Sequence, residues 1–312
     1  MDRLWMWVGF NAAVLAVLAL DLGVFHRTSH RVSLREAAAW STIWVALSLA
    51  FGYWVSVFMG RPAGFQFLTG YLIEKALSVD NIFVFVLIFS YFRVADEYQH
   101  RVLFWGILSA LVMRGAMIAG GAYLIERFHW IMYVFGAFLA FTGIRLATRK
   151  GHEVHPDKNP MLRLVRRAIP VTSEYYGPRF FVRLTPAGTA APRLTATPLF
   201  VVLVLVESTD LLFALDSIPA IFAVTTDPFI VYTSNVCAIL GLRSLYFLLA
   251  GVVEKFHYLQ LGLSVVLVFV GAKMLLADIY DVPIAASLAI IAAVLACAVA
   301  GSLLFPQQSE RD

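Results

Sequence analysis

The sequence predicts an all-α polytopic membrane protein with about nine transmembrane helices. Three observations carry that expectation. Of the 312 residues 61% are hydrophobic and only 14% are charged, where a soluble domain carries about a quarter charged. The apolar residues arrive in blocks of about twenty, the length that crosses a bilayer core as helix. Only helices or closed barrels satisfy the backbone in lipid, and these blocks are too long for barrel strands. The whole chain, 1–312, reads as a single transmembrane domain.

The expected spans are roughly 5–25, 37–59, 65–92, 103–125, 129–148, 198–224, 228–253, 257–278 and 283–305. The N-terminal span lacks a small-x-small cleavage site before polar sequence, so it reads as retained rather than as a signal peptide. Lysine and arginine sort by loop. Sixteen fall on one side: Arg27, Arg31, Arg35, Arg93, Arg101, nine in the loop 149–197, Lys255 and Arg311. The other side holds Arg3, Arg61 and Arg127. The positive-inside rule then expects an inner-membrane protein with its N-terminus outside and its C-terminus cytoplasmic. The net charge of +4 follows this sorting and gives no reason to expect nucleic acid. The loop 149–197 is the one soluble-looking piece, rich in proline, and "RFFVRL" followed by "TPAGTAAPRL" is expected to form a small hairpin. Its basic residues fit topology and anionic lipid.

Two stretches echo each other. "EKALSVDNIFVF" runs from Glu74 to Phe85, and "ESTDLLFALDSIPAIF" from Glu207 to Phe222. Glu74 precedes Asp80 as Asp210 precedes Asp216, and Asn81 and Ser217 follow the two aspartates. Downstream, "ERFH" at 126–129 matches "EKFH" at 254–257, and "GIRLA" at 143–147 matches "GAKMLLA" at 271–277, both at an offset of 128. The repeats therefore occupy 65–148 and 198–278, three spans each, separated by the cytoplasmic loop 149–197. Three is odd, so the second copy is expected to be inverted, the arrangement of transporters with a midplane site between the copies.

The acids Asp21, Glu74, Asp80, Glu207, Asp210 and Asp216 stand in otherwise apolar segments. A charge at the centre of a span costs about 2.5–3.5 kcal/mol on insertion scales, so these groups should face the bundle interior, water, one another or a cation. At helical spacing Glu74, Ser78 and Asn81 share one stripe, and Glu207, Asp210, Ala214 and Ser217 share another. Asp80 and Asp216 lie about 100° off those stripes in an ideal helix. A break near Pro219 in the sixth span is one way to bring Asp216 in. A set of carboxylate, amide and hydroxyl oxygens suits a hard cation such as Mn²⁺, Mg²⁺ or Ca²⁺ better than Cu⁺ or Zn²⁺. Crowded carboxylates also hold protons until a divalent ion displaces them, a route to metal/proton exchange. The competing reading is internal pairing, because Lys75, Arg114, Arg145, Arg243 and Lys273 also lie in or near spans. Asp21, in "ALDL", reads either as a third site acid from the first span or as a helix-end residue.

Other signals are weaker. "HEVH" at 152–155 has the wrong spacing for a zincin helix and reads as loop. Cys237 and Cys297 give neither a disulfide framework nor a metal spacing. Gly120, Gly121, Gly136, Gly143, Gly262 and Gly271 are expected at close helix contacts. Neither a nucleophile elbow nor a phosphate-cradling loop is present, so no enzyme and no cofactor is expected.

"EKALSVDNIFVF", "ESTDLLFALDSIPAIFAVT" and "NVCAILGLRSLYFLLAG" resemble the TerC family of integral membrane proteins, and "ALDL" with "REAAAWSTIWVALSLAFGYWV" resembles its Alx branch. The resemblance covers about 10 to 305. It implies a nine-span protein related to lysine-exporter-like proteins and a role in Mn²⁺ homeostasis, foremost export from the cytoplasm. The family is named for tellurium resistance, and some members are linked to membrane-protein or exoprotein maturation. Carried over, Asp80 and Asn81 stand in the first motif, and Asp210, Asp216 and Ser217 in the second. The resemblance names the metal; spacing and hydropathy reach only a hard divalent cation, with protons and the lipid bilayer as the other partners. The alternatives are a membrane assembly or scaffold protein without ion flux, in which the acids pair internally, and an intramembrane hydrolase.

Overall fold

The computed structural model describes residues 3–20, 33–148, 160–185, 192–250, 258–280 and 282–304. Asp21, the "HEVH" stretch and the second "EKFH" copy lie outside the described residues. The described residues are helical apart from one hairpin and connecting loops, in the order α1 (Arg3–Leu20), α2 (Leu34–Met59), α3 (Arg61–Tyr91), α4 (Asp96–Arg127), α5 (Ile131–Thr148), α6 (Pro160–Ala168), β1 (Phe181–Leu184), β2 (Arg193–Ala196), α7 (Pro198–Phe222), α8 (Pro228–Leu240), α9 (Leu242–Leu249), α10 (Leu259–Leu275) and α11 (Ile284–Leu304). Among the described residues α2, α4, α5, α7 and α11 are each long and apolar enough to cross a membrane, and α8 with α9 makes a sixth crossing bent by 41°. α3 is 31 residues long but carries Arg61, Glu74, Lys75 and Asp80, and it falls outside that set.

Local sequence sets the helix starts. Ser33 accepts a hydrogen bond from the Glu36 amide at 3.2 Å and opens α2, the first half of a capping box. Asp227 accepts from the Phe229 amide at 2.9 Å and, with Pro228 at the first turn, opens α8. Pro198 opens α7 in the same way. Gly60, at φ +96°, turns the chain between α2 and α3, a conformation that favours glycine.

α3 is the central element. It packs against α2, α7, α8 and α11, while α4 packs against α7 and α8. α5 and α10 pack along each other. Their crossing is built on glycine: a Cβ on Gly271 would lie 2.6 Å from the Gly136 carbonyl and the Ala140 nitrogen, and one on Gly143 would lie 2.8 Å from the Ser264 carbonyl. Helices separated by so little admit no side chain at those points. Gly121 meets the Phe222 ring and Gly262 meets Ala298. Gly120, expected at a contact, faces open space; its neighbour Gly121, one position further round the helix, makes the approach instead.

A small cap of α6 and the hairpin sits on the start of α7. β1 and β2 pair antiparallel with Phe181 opposite Ala196 and Leu184 opposite Arg193, where the sequence expects a hairpin. Leu162 of α6 is buried, while Arg163, Arg166 and Arg167 are exposed. The Tyr175 hydroxyl donates to the Phe92 carbonyl at 2.8 Å and ties the cap to the end of α3.

The expected break near Pro219 is absent. α7 runs unbroken through Pro219 to Phe222. Proline removes one i to i−4 bond, but only three residues of helix remain beyond it, so little is gained by unwinding. The broken span is α8–α9, where the chain bends at Gly241.

Candidate functional site

The site begins with an arginine. Arg114, on α4, is buried at 1% exposure between α3 and α7. Its Nε and Nη2 donate to the two oxygens of Asp210 on α7, at 3.1 and 2.8 Å. Its Nη1 donates to Glu74 Oε1 on α3, and to Ser217 Oγ at 3.4 Å. Asn235 of α8 donates from Nδ2 to Glu74 Oε2 at 2.8 Å. Three helices therefore meet on one guanidinium, and α8 joins them through Glu74. The bidentate fork on Asp210 is the geometry that favours arginine over lysine at such a position. With Glu74 fully buried and Asp210 nearly so, each charge needs the others, because an isolated ion in that environment would be far too costly.

Glu207 lies one helical turn from Asp210. The Ser109 hydroxyl of α4 donates to Glu207 Oε1, while Oε2 is buried and among the described residues has no hydrogen-bond partner. Glu207 and Asp210 line a void of about 10 Å³ together with Gly106 and Arg243, about the size of one water. The central acids are thus enclosed.

Asp80 and Asp216 form a second group. Both are partly exposed. Thr142 of α5 lies within hydrogen-bonding reach of Asp216, and Asp80 and Arg145 lie within electrostatic range of it.

The seven sequence candidates among the described residues therefore do not share one ligand sphere. Glu74, Asp210 and Ser217 surround Arg114, Asp80 and Asp216 stand together, Glu207 holds Ser109, and Asp21 lies outside the described residues. Asn81 is buried, and among the described residues its Oδ1 has no hydrogen-bond partner, as is true of Ser78 Oγ and Asn235 Oδ1. Among the described residues no three His, Cys, Asp or Glu side chains converge. Cys237 and Cys297 are unpaired thiols, one buried and one exposed. Sequence reasoning named Arg114 as a possible partner but missed Ser109, Thr142 and Asn235. An amide in the apolar run of α8 was the one available signal for Asn235.

Buried carboxylates gripping an arginine between long apolar helices define an integral membrane protein with an ionic centre. The chain belongs to the integral membrane protein TerC family, whose profile matches residues 59–310. It is 56% identical to the Myxococcus xanthus membrane protein STKORF319, over 96% of this chain and 92% of that one. It is 49% identical to the Alx proteins of Escherichia coli (strain K12) and Salmonella typhi, over 93% of this chain and 91% of theirs. Those relatives carry the provisional name of membrane-bound redox modulator. No solved structure matches the chain.

Proposed function

We propose that this protein exports a hard divalent cation, Mn²⁺ foremost, from the cytoplasm across the inner membrane in exchange for protons. The observation that carries the reading is the pairing of repeat-equivalent acids. Glu74 and Asp210 occupy matching positions in the two motifs and meet on Arg114. Asp80 and Asp216 also match and stand within electrostatic range of each other. The helix contacts follow the same exchange: α3 packs on α8 as α7 packs on α4, and α5 packs on α10. Gly136 meets Gly271, and Gly143 meets Ser264. With the offset of 128, these two contacts are one contact seen from each copy. This supports an inverted repeat of three spans each. It also supports nine spans: α1 to α5, α7, the bent pair α8–α9, α10 and α11. The charge sorting supports an outside N-terminus and a cytoplasmic C-terminus.

The residues then take distinct roles. Arg114 holds Glu74 and Asp210 in an enclosed centre. Asp80 and Asp216, at the edge and partly exposed, receive the incoming cation and release protons to it. Among the described residues Asn81, Ser78, Asn235 and Glu207 each keep a buried oxygen without a hydrogen-bond partner, hard donors that a passing ion can meet in turn and not one ligand sphere. The competing reading is a membrane assembly protein without flux. What favours it is the Arg114 centre itself, since acids paired internally are what a purely structural role would leave.

The test is Mn²⁺ flux into proteoliposomes under an imposed pH gradient. Wild-type protein should transport, and Asp80→Asn and Asp216→Asn should each lose at least about tenfold while remaining folded, the loss expected when about 1.4 kcal/mol of ion stabilisation is removed. Absence of wild-type flux in any gradient would leave the assembly reading standing.

A further inference from the structure

Lys75 follows Glu74 on α3 but takes a different partner. Its ammonium points at the end of α8, where Nζ lies 3.4 Å from the Ala238 carbonyl. It is partly buried, and among the described residues it makes no ion pair. The α8–α9 span is broken there, with α8 ending at Leu240 and a 41° bend at Gly241. A Cβ on Gly241 would lie 2.8 Å from Lys75 Nζ and 3.1 Å from Trp44 Cβ. The glycine leaves the space that the ammonium fills.

The chemistry of that space is one-sided. A helix C-terminus presents carbonyl oxygens and the negative end of the macrodipole. Broken spans in transporters use such ends to coordinate small monovalent cations. Here the Gly241 carbonyl is already taken by the Leu245 amide and the Ser244 hydroxyl, and the Ala238 carbonyl faces the ammonium. At 3.4 Å the contact is long for a hydrogen bond, so Lys75 acts there mainly as a point charge.

We infer that the α8–α9 break is a monovalent-cation site that the protein fills from within, with the Lys75 ammonium standing where a sodium or potassium ion would bind. The site is held by Lys75 and not by Arg114, and it does not depend on which ion the acids carry. The protein therefore needs no free monovalent cation at this position, and removing the ammonium creates that need.

The experiment is thermal unfolding of the purified protein, with NaCl or KCl replacing choline chloride at constant ionic strength. Wild-type Tm should be the same in all three salts. Lys75→Ala should melt lower in choline and recover by about 2–4 °C in sodium or potassium, as expected for a ligand that binds only the folded state. Lys75→Met, which fills the space without charge, should melt lower and recover in neither salt. If Lys75→Ala does not fold, Lys75→Ser leaves similar room and carries the same titration with the same expected recovery. A cavity variant with one Tm in all three salts, or a wild-type protein that responds as much as the variant, overturns the inference.

Discussion

At Arg114 one side chain pairs with two carboxylates from different helices, and its removal has a calculable consequence. Arg114→Met would leave Glu74 and Asp210 facing each other in a buried site. Breaking a buried ion pair by removing one partner costs about 3–5 kcal/mol, whereas replacing all members together is often neutral. Arg114→Met should therefore lower Tm strongly, and the triple variant Glu74→Gln, Arg114→Met, Asp210→Asn should recover much of the loss. Thermal melts of both in one detergent check this; a single variant as stable as wild type would show that the acids are not held as charges. The sequence made the acids conspicuous, because charge in an apolar block is costly wherever it falls. It did not say which of five basic residues each acid takes. Arg114 reaches Glu74 and Asp210 across 40 and 96 residues, and Asn235 reaches Glu74 across 161. Pairings at such separations are set by helix packing and leave no local trace.

Among the helices, the α5–α10 crossing depends on backbone approach rather than side-chain fit. A methyl group on Gly271 would meet backbone atoms of Gly136 and Ala140 at 2.6 Å, and backbone cannot rotate away. Overpacking of this kind costs about 1–3 kcal/mol, so Gly271→Ala should destabilise despite the better helix propensity of alanine. Gly120→Ala, with nothing within 4 Å, should instead be neutral or stabilising by up to about 1 kcal/mol. Chemical or thermal unfolding of the pair is the check, and equal shifts would contradict a glycine-built crossing. Helices were readable from apolar blocks, and the hairpin from its β-branched and aromatic run before a proline-rich turn. The break was misread because Pro219 is the louder signal. A proline three residues from a helix end disturbs little, while Gly241, flanked by leucines, looks like an ordinary packing glycine until Lys75 and Trp44 are seen against it.

Taken as a whole, the molecule places matching residues of the two motifs on opposite sides of one guanidinium, and this can be tested by exchanging them. Under the two-fold reading, Glu74 and Asp210 are the same position in two copies that differ by one methylene. Arg114 is seated for glutamate on α3 and aspartate on α7. Glu74→Asp alone should open a gap at Nη1 and lengthen the contact with Asn235, and Asp210→Glu alone should crowd the bidentate fork. In the double exchange the shortening and lengthening fall on opposite sides of Arg114, so a small shift of the guanidinium toward α3 restores both contacts. The two substitutions should therefore couple favourably, with the double variant more stable than the sum of the singles by about 0.5–3 kcal/mol, the range for residues in one ionic network. The double variant should also regain more Mn²⁺ flux than either single one. Simple additivity in a thermal double-mutant cycle would mean that the two acids hold Arg114 independently, and their shared position in the motifs would then say nothing about a common centre.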